Sequence, residues 1–329
     1  MLVCNLKRLE DIDKVKDLVD GIEFRKKLFI LNPHKRLGKK VIRSYHNFHS
    51  NEAREGVDKL AVMAESTLDA LRMLKTRKAP IQVCMGEKGQ LTRILGPVFG
   101  NLIDYTYLDE PSAPGQLSLH ELLYDYNYRQ LNPETEIYGL IGGDVSKSFS
   151  PRVHNGVMRA LGINAVYVKM SIEPKELEEF FSLAKDLNFR GLSVTMPLKE
   201  KVIPYLDELD PLAAEISAVN TISFKNNKLI GYNTDGIGAI EALGCVKNKR
   251  IILLGKGGAA KAIAYVATLH GAQTQMLGRG ELPTHPYDLL INCTPADLPA
   301  PLNIHSTSPF GREMFINQAV HQYRIWFKE

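Results

Sequence analysis

One segment of the sequence restricts the fold more than any other, because it combines several local patterns in a fixed order. Residues 251–279 read IILLGKGGAAKAIAYVATLHGAQTQMLGR, an apolar strand, a glycine turn, an alanine-rich helix and a second strand. Gly255, Gly257 and Gly258 directly follow the first strand, so backbone amides at the helix start can face a pyrophosphate. The spacing is not the full GxGxxG, and packing alone is the alternative explanation. The pattern predicts a reduced, Rossmann-like dinucleotide-binding domain over residues 241–329.

The end of the second strand indicates which dinucleotide this domain binds. An acidic residue at this place holds the ribose hydroxyls of NAD, whereas this chain has Gly278 and Arg279. The cation of Arg279 favours NADP(H), because it can pair with the additional phosphate. A solvated arginine at the end of a strand is the alternative.

Composition is that of an ordinary globular protein and excludes several functional classes. The 329 residues are 44% apolar and 24% charged, and no stretch approaches the ~20 apolar residues of a membrane helix. A net charge of +4 gives little support to nucleic acid or membrane binding, so the expected partners are small molecules. The cysteines Cys4, Cys84, Cys245 and Cys293 are far apart and follow no signal peptide, which favours a reduced, cytoplasmic setting.

The first 131 residues alternate short β-branched runs with helical spacing, as successive β/α units do. Helices are expected near residues 10–18, 65–74 and 117–131. The pattern predicts an α/β fold whose N-terminal domain, residues 1–131, is an incomplete (β/α) barrel. Six strands are expected at MLVCNL, VDGIEF, KKVIRSYH, DKLAVM, PIQVCMG and IDYTYL.

A second domain is expected over residues 137–240. It follows the polar turn NPETE and begins with the strand EIYGLIG, then a Ser/Pro-rich loop and a helix from Arg152. Later strands are AVYVKMSI and GLSVTMP, and the segment TISFKNNKLIGYN predicts a hairpin with an Asn-Asn turn. The domain is therefore an α/β unit that precedes the dinucleotide-binding domain.

Six motifs over residues 137–327 resemble, in order, those of shikimate dehydrogenases: SKSFSPRVHN, GLSVTMPLKEKV, SAVNTI, GYNTDGIG, GKGGAAKA and GREMFINQA. The resemblance implies that Ser148 and Ser150 bind the substrate carboxylate, and that Lys199 and Asp235 flank the reacting oxygen. It further implies that the ring hydroxyls are held by Thr195, Asn220 and Gln318. The implied NADP(H) contacts are Gly255, Gly257, Gly258, Ala259, Arg279, Asn292, Thr294, Gly311 and Met314.

The residue types suit this reaction, because hydride delivery to a ketone builds negative charge on oxygen that an ammonium can stabilise and protonate. Lys199 is the candidate for that role, with Asp235 orienting it. The alternatives are a surface lysine and a turn aspartate. Ser150 can also be a helix N-cap before Pro151, and Met314 an ordinary core residue.

Motifs in the N-terminal domain resemble the second half of type I 3-dehydroquinate dehydratases, notably MGEKG and SAPGQ. Carried over by position, Lys59 becomes the Schiff-base amine, His46 the proton-transfer residue and Arg93 the carboxylate anchor. An imine on Lys59 acidifies the neighbouring carbon, from which His46 can remove a proton. Both residues are expected at the C-terminal ends of strands. The resemblance also assigns substrate contacts to Glu23, Arg25, Ser112 and Gln116.

Alternatives remain at this point, because the chain departs from both families. A complete barrel needs about 250 residues, and two β/α units and a helix after Gly278 are missing. The leading hypothesis is a bifunctional enzyme that converts 3-dehydroquinate to 3-dehydroshikimate and reduces it to shikimate with NADPH. Others are a dehydrogenase with an inactive N-terminal domain, a quinate dehydrogenase and a non-catalytic binding protein. A satisfied structural histidine is the alternative for His46, and no metal site is expected, since His46 and His49 lack further ligands.

Overall fold

A computed structural model describes residues 1–7, 9–24, 27–30, 43–296, 298 and 300–327. The chain divides into two compact units, Met1–Phe189 and Arg190–Glu329. The three-domain division, with boundaries near residues 131–137 and 240–241, stays a prediction. Arg25 and part of the expected strand KKVIRSYH lie outside the described residues. None of the described helices combines the length and apolar character that crossing a membrane requires.

The N-terminal part of the first unit contains all six expected strands and one more. Its strands form two sheets, ordered β3-β2-β1-β7 and β4-β5-β6, and all neighbours are parallel except β3 and β2. The antiparallel β3, which the sequence did not predict, covers the edge of β2. The strands are β1 Leu2–Asn5, β2 Gly21–Phe24, β3 Lys27–Ile30, β4 Ser44–Asn47, β5 Lys59–Met63, β6 Ile81–Met85 and β7 Asp104–Tyr107.

Residues of these strands form small buried apolar clusters. Val3, Ile81 and Ile103 are buried together, so β1 and β6 share a core although they belong to different sheets. A second cluster joins Ala61 to Val83 and Met85, which are residues of β5 and β6. Since side chains alternate along a strand, Lys59 projects from the same face of β5 as Ala61. The core therefore positions Lys59.

The helices of this part are α1 Ile12–Val15, α2 Thr67–Lys75 and α3 Leu91–Ile94. Of these, α1 is shorter than expected, α2 lies close to its expected place and α3 was not predicted. The prediction of one helix over residues 117–131 was wrong, because Asn127 has a left-handed conformation (φ +52°) that separates two short turns. The Asn127 side chain donates to Asn155 O (3.0 Å) and accepts from Arg159 (2.7 Å), and these tertiary contacts prevail over helix propensity.

The first unit continues with a βαβα segment that packs on its N-terminal part. The elements are β8 Glu136–Gly142, α4 Ser150–Ala160, β9 Ala165–Ser171 and α5 Leu177–Asp186, with β8 parallel to β9. Helix α2 lies against α5, where Arg72 forms a two-bond contact with Glu179 at 2.6 Å. Thr67 Oγ1 donates to Ser171 O at 2.8 Å. These contacts fix the two segments of this unit to each other.

The second unit starts with antiparallel strands. Its first strand, β10, pairs with β12, which forms the expected hairpin with β13, and both Asn226 and Asn227 have positive φ in the turn. Strand β11 lies parallel to β13. The elements are β10 Phe189–Val194, β11 Glu208–Leu209, α6 Pro211–Ile216, β12 Thr221–Lys225, β13 Lys228–Tyr232 and α7 Asp235–Leu243.

A four-stranded parallel sheet, ordered β15-β14-β16-β17, completes the second unit. The expected strand, glycine turn, helix and strand are present. Residues 278–288, all of them described, form no helix, so the predicted shortening is confirmed. The elements are β14 Arg250–Leu254, α8 Gly258–Leu269, β15 Gln273–Leu277, β16 Leu289–Asn292, β17 Leu302–Asn303 and α9 Pro309–Phe327.

Candidate active sites

Lys59 lies in an unusual environment for a lysine. Its Nζ is 3.9 Å from the centroid of the Tyr105 ring, a cation–π arrangement. Burial lowers the pKa of Lys59; the charge of Glu23 opposes this shift and that of Arg93 adds to it. A lowered pKa increases the fraction of neutral, nucleophilic amine.

His46 belongs to the same face of the sheet as Lys59. In the β4–β5 register Ser44 lies opposite Lys59, so His46, two residues further, projects to the same side. Desolvation and the nearby charge of Lys59 lower the pKa of His46, although much of its surface remains exposed. Lys59 begins β5, so the prediction that both residues end strands was wrong for Lys59. The parallel register, which was not visible in the sequence, is what directs both side chains to one face.

Arg93 is buried with a carboxylate nearby. It is 3% exposed, and burial lowers its pKa to about 10 while Asp104 opposes that shift. Burial likewise raises the pKa of Asp104 to about 6, against hydrogen bonds from Tyr128 (2.7 Å) and Asn101 (2.6 Å). Asp104 was not predicted, because its pairing depends on the burial of residues distant in sequence.

A loop with close backbone contacts carries Ser112 and Gln116. Both the backbone N–H and the hydroxyl of Ser112 donate to Gln116 Oε1, at 2.8 and 3.0 Å. Gly115 has φ +70°, and a Cβ there would lie 2.0 Å from Gly86 O, so only glycine allows this approach. The predicted pair is thus held over the end of β6.

Three buried polar atoms in this part of the first unit lack a protein partner. Within the described residues, Asn5 Oδ1, Arg93 Nε and Gln116 Nε2 have no hydrogen-bond partner. Such groups are rare in folded proteins, and one of them belongs to Arg93, whose charge acts on Lys59. Asn5, whose Nδ2 donates to Ser112 Oγ at 2.6 Å, was not predicted, although a polar end to the apolar strand MLVCNL was a signal.

Ser148 and Ser150 lie together at the start of α4. Their hydroxyls are 3.1 Å apart, and Ser148 Oγ accepts the backbone N–H of Ser150 at 3.2 Å. The suggestion that Ser150 caps the helix was wrong, because Phe149 is the N-cap and Ser150 the first helical residue. Their binding of a carboxylate stays a prediction.

In the second unit, Lys199 and Asp235 form an ion pair. Lys199 Nζ lies 2.5 Å from Asp235 Oδ2, and the two side chains are 17% and 8% exposed. Val219 N donates to Lys199 O (2.8 Å), which fixes the loop after β10, while Asp235 begins α7. The predicted pair is therefore assembled from distant parts of the chain.

Asn220 connects this ion pair to a buried amide network. Its Nδ2 donates to Asp235 Oδ1 at 2.9 Å and to Gln318 Oε1 at 3.0 Å. Thr234, which was not predicted, donates to Gln318 at 3.2 Å and accepts from Asn220 at 2.9 Å. Thr195 follows the β10 residue Val194, whose N–H donates to Asn220 O at 2.7 Å. The network thus brings together Asn220, Gln318 and the ion pair.

Burial also reveals Gln322, which the motif comparison did not mark. The side chain is 1% exposed on α9. It accepts from Ser193 at 3.2 Å and donates to Thr221 at 2.9 Å. Thr221 in turn donates to Asn220 Oδ1 at 2.8 Å. Gln322 is therefore connected to the network through Thr221.

The glycine turn fits the phosphates of a dinucleotide. Gly255 has φ +110°, a conformation suited to glycine, and no atom lies within 4 Å of a Cβ built on Gly257. The first amides of α8, including that of Ala259, have no intrahelical acceptor and attract anions. A Cβ on Gly258 would lie 3.1 Å from Lys199 Cβ. The turn therefore adjoins Lys199.

The remaining predicted cofactor residues lie in different environments. The hydroxyl and the backbone N–H of Thr294 both donate to Asn292 Oδ1 (2.8 and 2.9 Å), and Thr294 Cγ2 would lie 3.1 Å from a Cβ on Gly255. Arg279 follows β15 and is exposed. Met314 is 6% exposed in the apolar core, and Gly311 packs against the backbone of His305. The roles of all five in cofactor binding stay predictions.

Comparison with protein families matches each half of the chain separately. The family model for type I 3-dehydroquinase matches residues 17–133. That for the shikimate dehydrogenase substrate binding domain matches residues 140–222.

Full-length relatives join the same two parts. The shikimate biosynthesis protein AroDE of Chlamydia pneumoniae is 35% identical over 82% of this chain and 68% of the relative. That of Chlamydia muridarum is 34% identical over 88% of this chain and 73% of the relative. The bifunctional chloroplastic 3-dehydroquinate dehydratase/shikimate dehydrogenase of Arabidopsis thaliana is 36% identical, covering 73% of this chain and 46% of its own length.

Solved structures resemble part of the chain. Shikimate dehydrogenase from Aquifex aeolicus has a TM-score of 0.54 and 31% identity, and the match covers 60% of this chain and 94% of that one. A shikimate dehydrogenase in complex with NADP⁺ has a TM-score of 0.55 and 29% identity, with coverage of 60% and 92%.

Proposed function

The chain belongs to the family of bifunctional AroDE proteins, and we propose that it dehydrates 3-dehydroquinate and then reduces 3-dehydroshikimate to shikimate with NADPH. The observation that carries the proposal is the presence of two lysines whose surroundings differ. Lys59 has a lowered pKa beside unpaired polar atoms, and Lys199 is paired with Asp235 next to a glycine turn.

Dehydration begins with the neutral amine of Lys59. It adds to the substrate ketone, and loss of water leaves an imine that withdraws electrons from the neighbouring carbon. His46, neutral because its pKa is lowered, removes a proton from that carbon and returns it to the departing hydroxyl. Hydrolysis of the imine then releases the product and restores Lys59.

Substrate binding in the first step is assigned to the residues with unpaired polar atoms. Arg93 is positively charged at neutral pH even with its pKa lowered to about 10, so it suits the carboxylate. Gln116 and Asn5 offer one unpaired donor and one unpaired acceptor, which suits ring hydroxyls. Glu23 remains assigned to the same substrate.

Reduction depends on the ion pair of the second unit. NADPH, when bound, supplies the hydride. Lys199 stabilises the negative charge on the substrate oxygen and donates a proton to it, while Asp235 holds the ammonium in position. Asn220 keeps the carboxylate of Asp235 oriented and also donates to Gln318, and both amides are assigned to hydroxyl recognition.

The cellular setting is a smaller part of the proposal. The thiols of Cys4, Cys84, Cys245 and Cys293 are free, which agrees with a reduced compartment, and we place the protein in the cytoplasm. Its partners are its small-molecule substrates.

Product analysis tests this proposal. Purified protein is incubated with NADPH and either 3-dehydroquinate or 3-dehydroshikimate, and products are separated by chromatography. Shikimate from both substrates is the expected result. Shikimate from 3-dehydroshikimate alone contradicts the dehydratase assignment and supports the dehydrogenase-only alternative. No shikimate from either substrate overturns the proposal and favours a non-catalytic binding protein.

A further inference from the structure

A second cation lies beside Gly278, at the end of β15 where Arg279 follows. It is Lys256, a residue of the glycine turn, whose Nζ is 2.7 Å from Glu281 Oε1. The other oxygen of Glu281 accepts the backbone N–H of Gly278 at 2.8 Å. A Cβ on Gly278 would lie 3.6 Å from Lys256 Cε and 3.3 Å from Glu281 Oε1. An ammonium and a carboxylate therefore occupy the space over this strand end.

Strand register explains why a residue of the glycine turn reaches this place. Leu254 is the register partner of Leu277, and Gly255 N donates to Leu277 O at 2.7 Å. Lys256 is the next residue along one strand and Gly278 the next along the other. In dinucleotide-binding folds, the end of this strand is where the adenosine ribose is recognised.

We propose that Lys256, together with Arg279, binds the 2′-phosphate of NADPH, and that the phosphate displaces Glu281 from Lys256. This inference rests on the proposed use of NADPH. Two cations and one carboxylate leave a net positive charge beside Gly278, which suits a phosphate dianion. The unphosphorylated ribose of NADH carries no charge to compete with Glu281, so the Lys256–Glu281 pair sets cofactor preference.

The exposed position of this pair makes the inference testable. Lys256 and Glu281 are 53% and 49% exposed, and ion pairs of this kind contribute little to stability. Their replacement is therefore expected to leave the fold intact. The ion pair Lys228–Glu208, in the same unit and 55% and 48% exposed, provides a matched control away from the glycine turn.

Calorimetric titration with 2′,5′-ADP and 5′-AMP separates phosphate recognition from catalysis. Lys256→Met is expected to weaken 2′,5′-ADP binding about tenfold, because a charge-assisted contact is lost, with 5′-AMP binding nearly unchanged. Glu281→Gln is expected to tighten 2′,5′-ADP binding by removing the competing carboxylate. Lys228→Met is expected to change neither affinity.

Three outcomes contradict the inference. An unchanged 2′,5′-ADP affinity in Lys256→Met, or equal weakening of both ligands, excludes Lys256 as the phosphate partner. Weaker 2′,5′-ADP binding in Glu281→Gln excludes displacement. If the parent protein binds 2′,5′-ADP and NADPH, these failures concern the inference alone. A parent that binds neither also overturns the proposed use of NADPH.

Discussion

Lys59 and Lys199 are both shielded lysines, but their neighbours differ in charge. Lys59 faces the ring of Tyr105, and burial and Arg93 lower its pKa. Lys199 instead lies 2.5 Å from the carboxylate of Asp235. The first arrangement favours a neutral amine that attacks a ketone, whereas the second pairs the lysine that we propose as proton donor with a carboxylate. We therefore propose that one residue type serves two reactions because its partners differ.

The polar groups around the two lysines differ in the same way. Near Lys59, buried atoms of Asn5, Arg93 and Gln116 have no protein partner within the described residues. Near Lys199, both oxygens of Asp235 have donors, because Oδ1 accepts from the amide of Asn220 and Oδ2 from Lys199. Polar groups near Lys59 are therefore unpaired in the protein, whereas those near Lys199 are paired with each other.

Replacing Lys59 is expected to have the largest effect. Lys59→Met removes the nucleophile and should reduce dehydration by about 10⁴-fold or more, while reduction of 3-dehydroshikimate continues at the parent rate. The exposed residue Lys78 supplies the control variant, Lys78→Met. Steady-state assays of both reactions measure the result, and retention of dehydration in Lys59→Met contradicts the imine mechanism.

Lys199→Met tests the other half of the comparison. Loss of the proton donor should reduce the dehydrogenase rate by about 10²- to 10⁴-fold, with dehydration unchanged. Asp235→Asn should give a smaller loss, because the ammonium remains without its partner. If Lys199→Met lowers dehydration instead, the assignment of the two lysines to separate reactions is wrong.

Asn220→Ala tests whether the hydrogen-bond network around Lys199 and Asp235 stabilises the protein without substrate. Loss of its amide leaves Asp235 Oδ1 without this donor and the backbone N–H of Thr234 without its acceptor, which should lower the free energy of unfolding by about 1–3 kcal/mol. Denaturant titration measures this change, and Gln273→Ala at an exposed strand position is the control. Equal stability in the two variants would show that the network contributes nothing.

Glu23→Gln is expected to have the smallest effect, on the titration of Lys59. The charge of Glu23 raises the Lys59 pKa, so its removal lowers that pKa further and makes the amine neutral at lower pH. The midpoint of labelling with an amine-reactive acylating reagent, followed by peptide mass spectrometry, should fall by less than about one pH unit. Glu110→Gln, an exposed carboxylate paired with Lys7, is the control. An upward shift contradicts the electrostatic account.

Sequence patterns predicted the elements whose signals are local. The strand and glycine turn before α8 and the Asn226–Asn227 hairpin turn were correctly located, because periodicity and backbone preference act over a few residues. The break at Asn127 was missed because it depends on partners about 30 residues away in sequence. Strand β3 was missed although its register partner β2 is its neighbour in the chain, with Phe24 opposite Lys27. Local propensity does not report such tertiary contacts.

The same distinction applies to the candidate sites. Lys199, Asp235 and Gln318 follow from motif resemblance and lie together in the structure. Asp104 and Gln322 were missed because their importance comes from burial and from the groups they contact. The identity of a polar residue is visible in a sequence, but its isolation from water is not.

Borohydride trapping tests the division between the two lysines most directly. Protein is incubated with 3-dehydroquinate and borohydride, and the modified peptide is identified by mass spectrometry in the parent, Lys59→Met and Lys199→Met. The account predicts an adduct on Lys59 in the parent and in Lys199→Met, and none in Lys59→Met. An adduct on Lys199, or undiminished labelling of Lys59→Met, would contradict it.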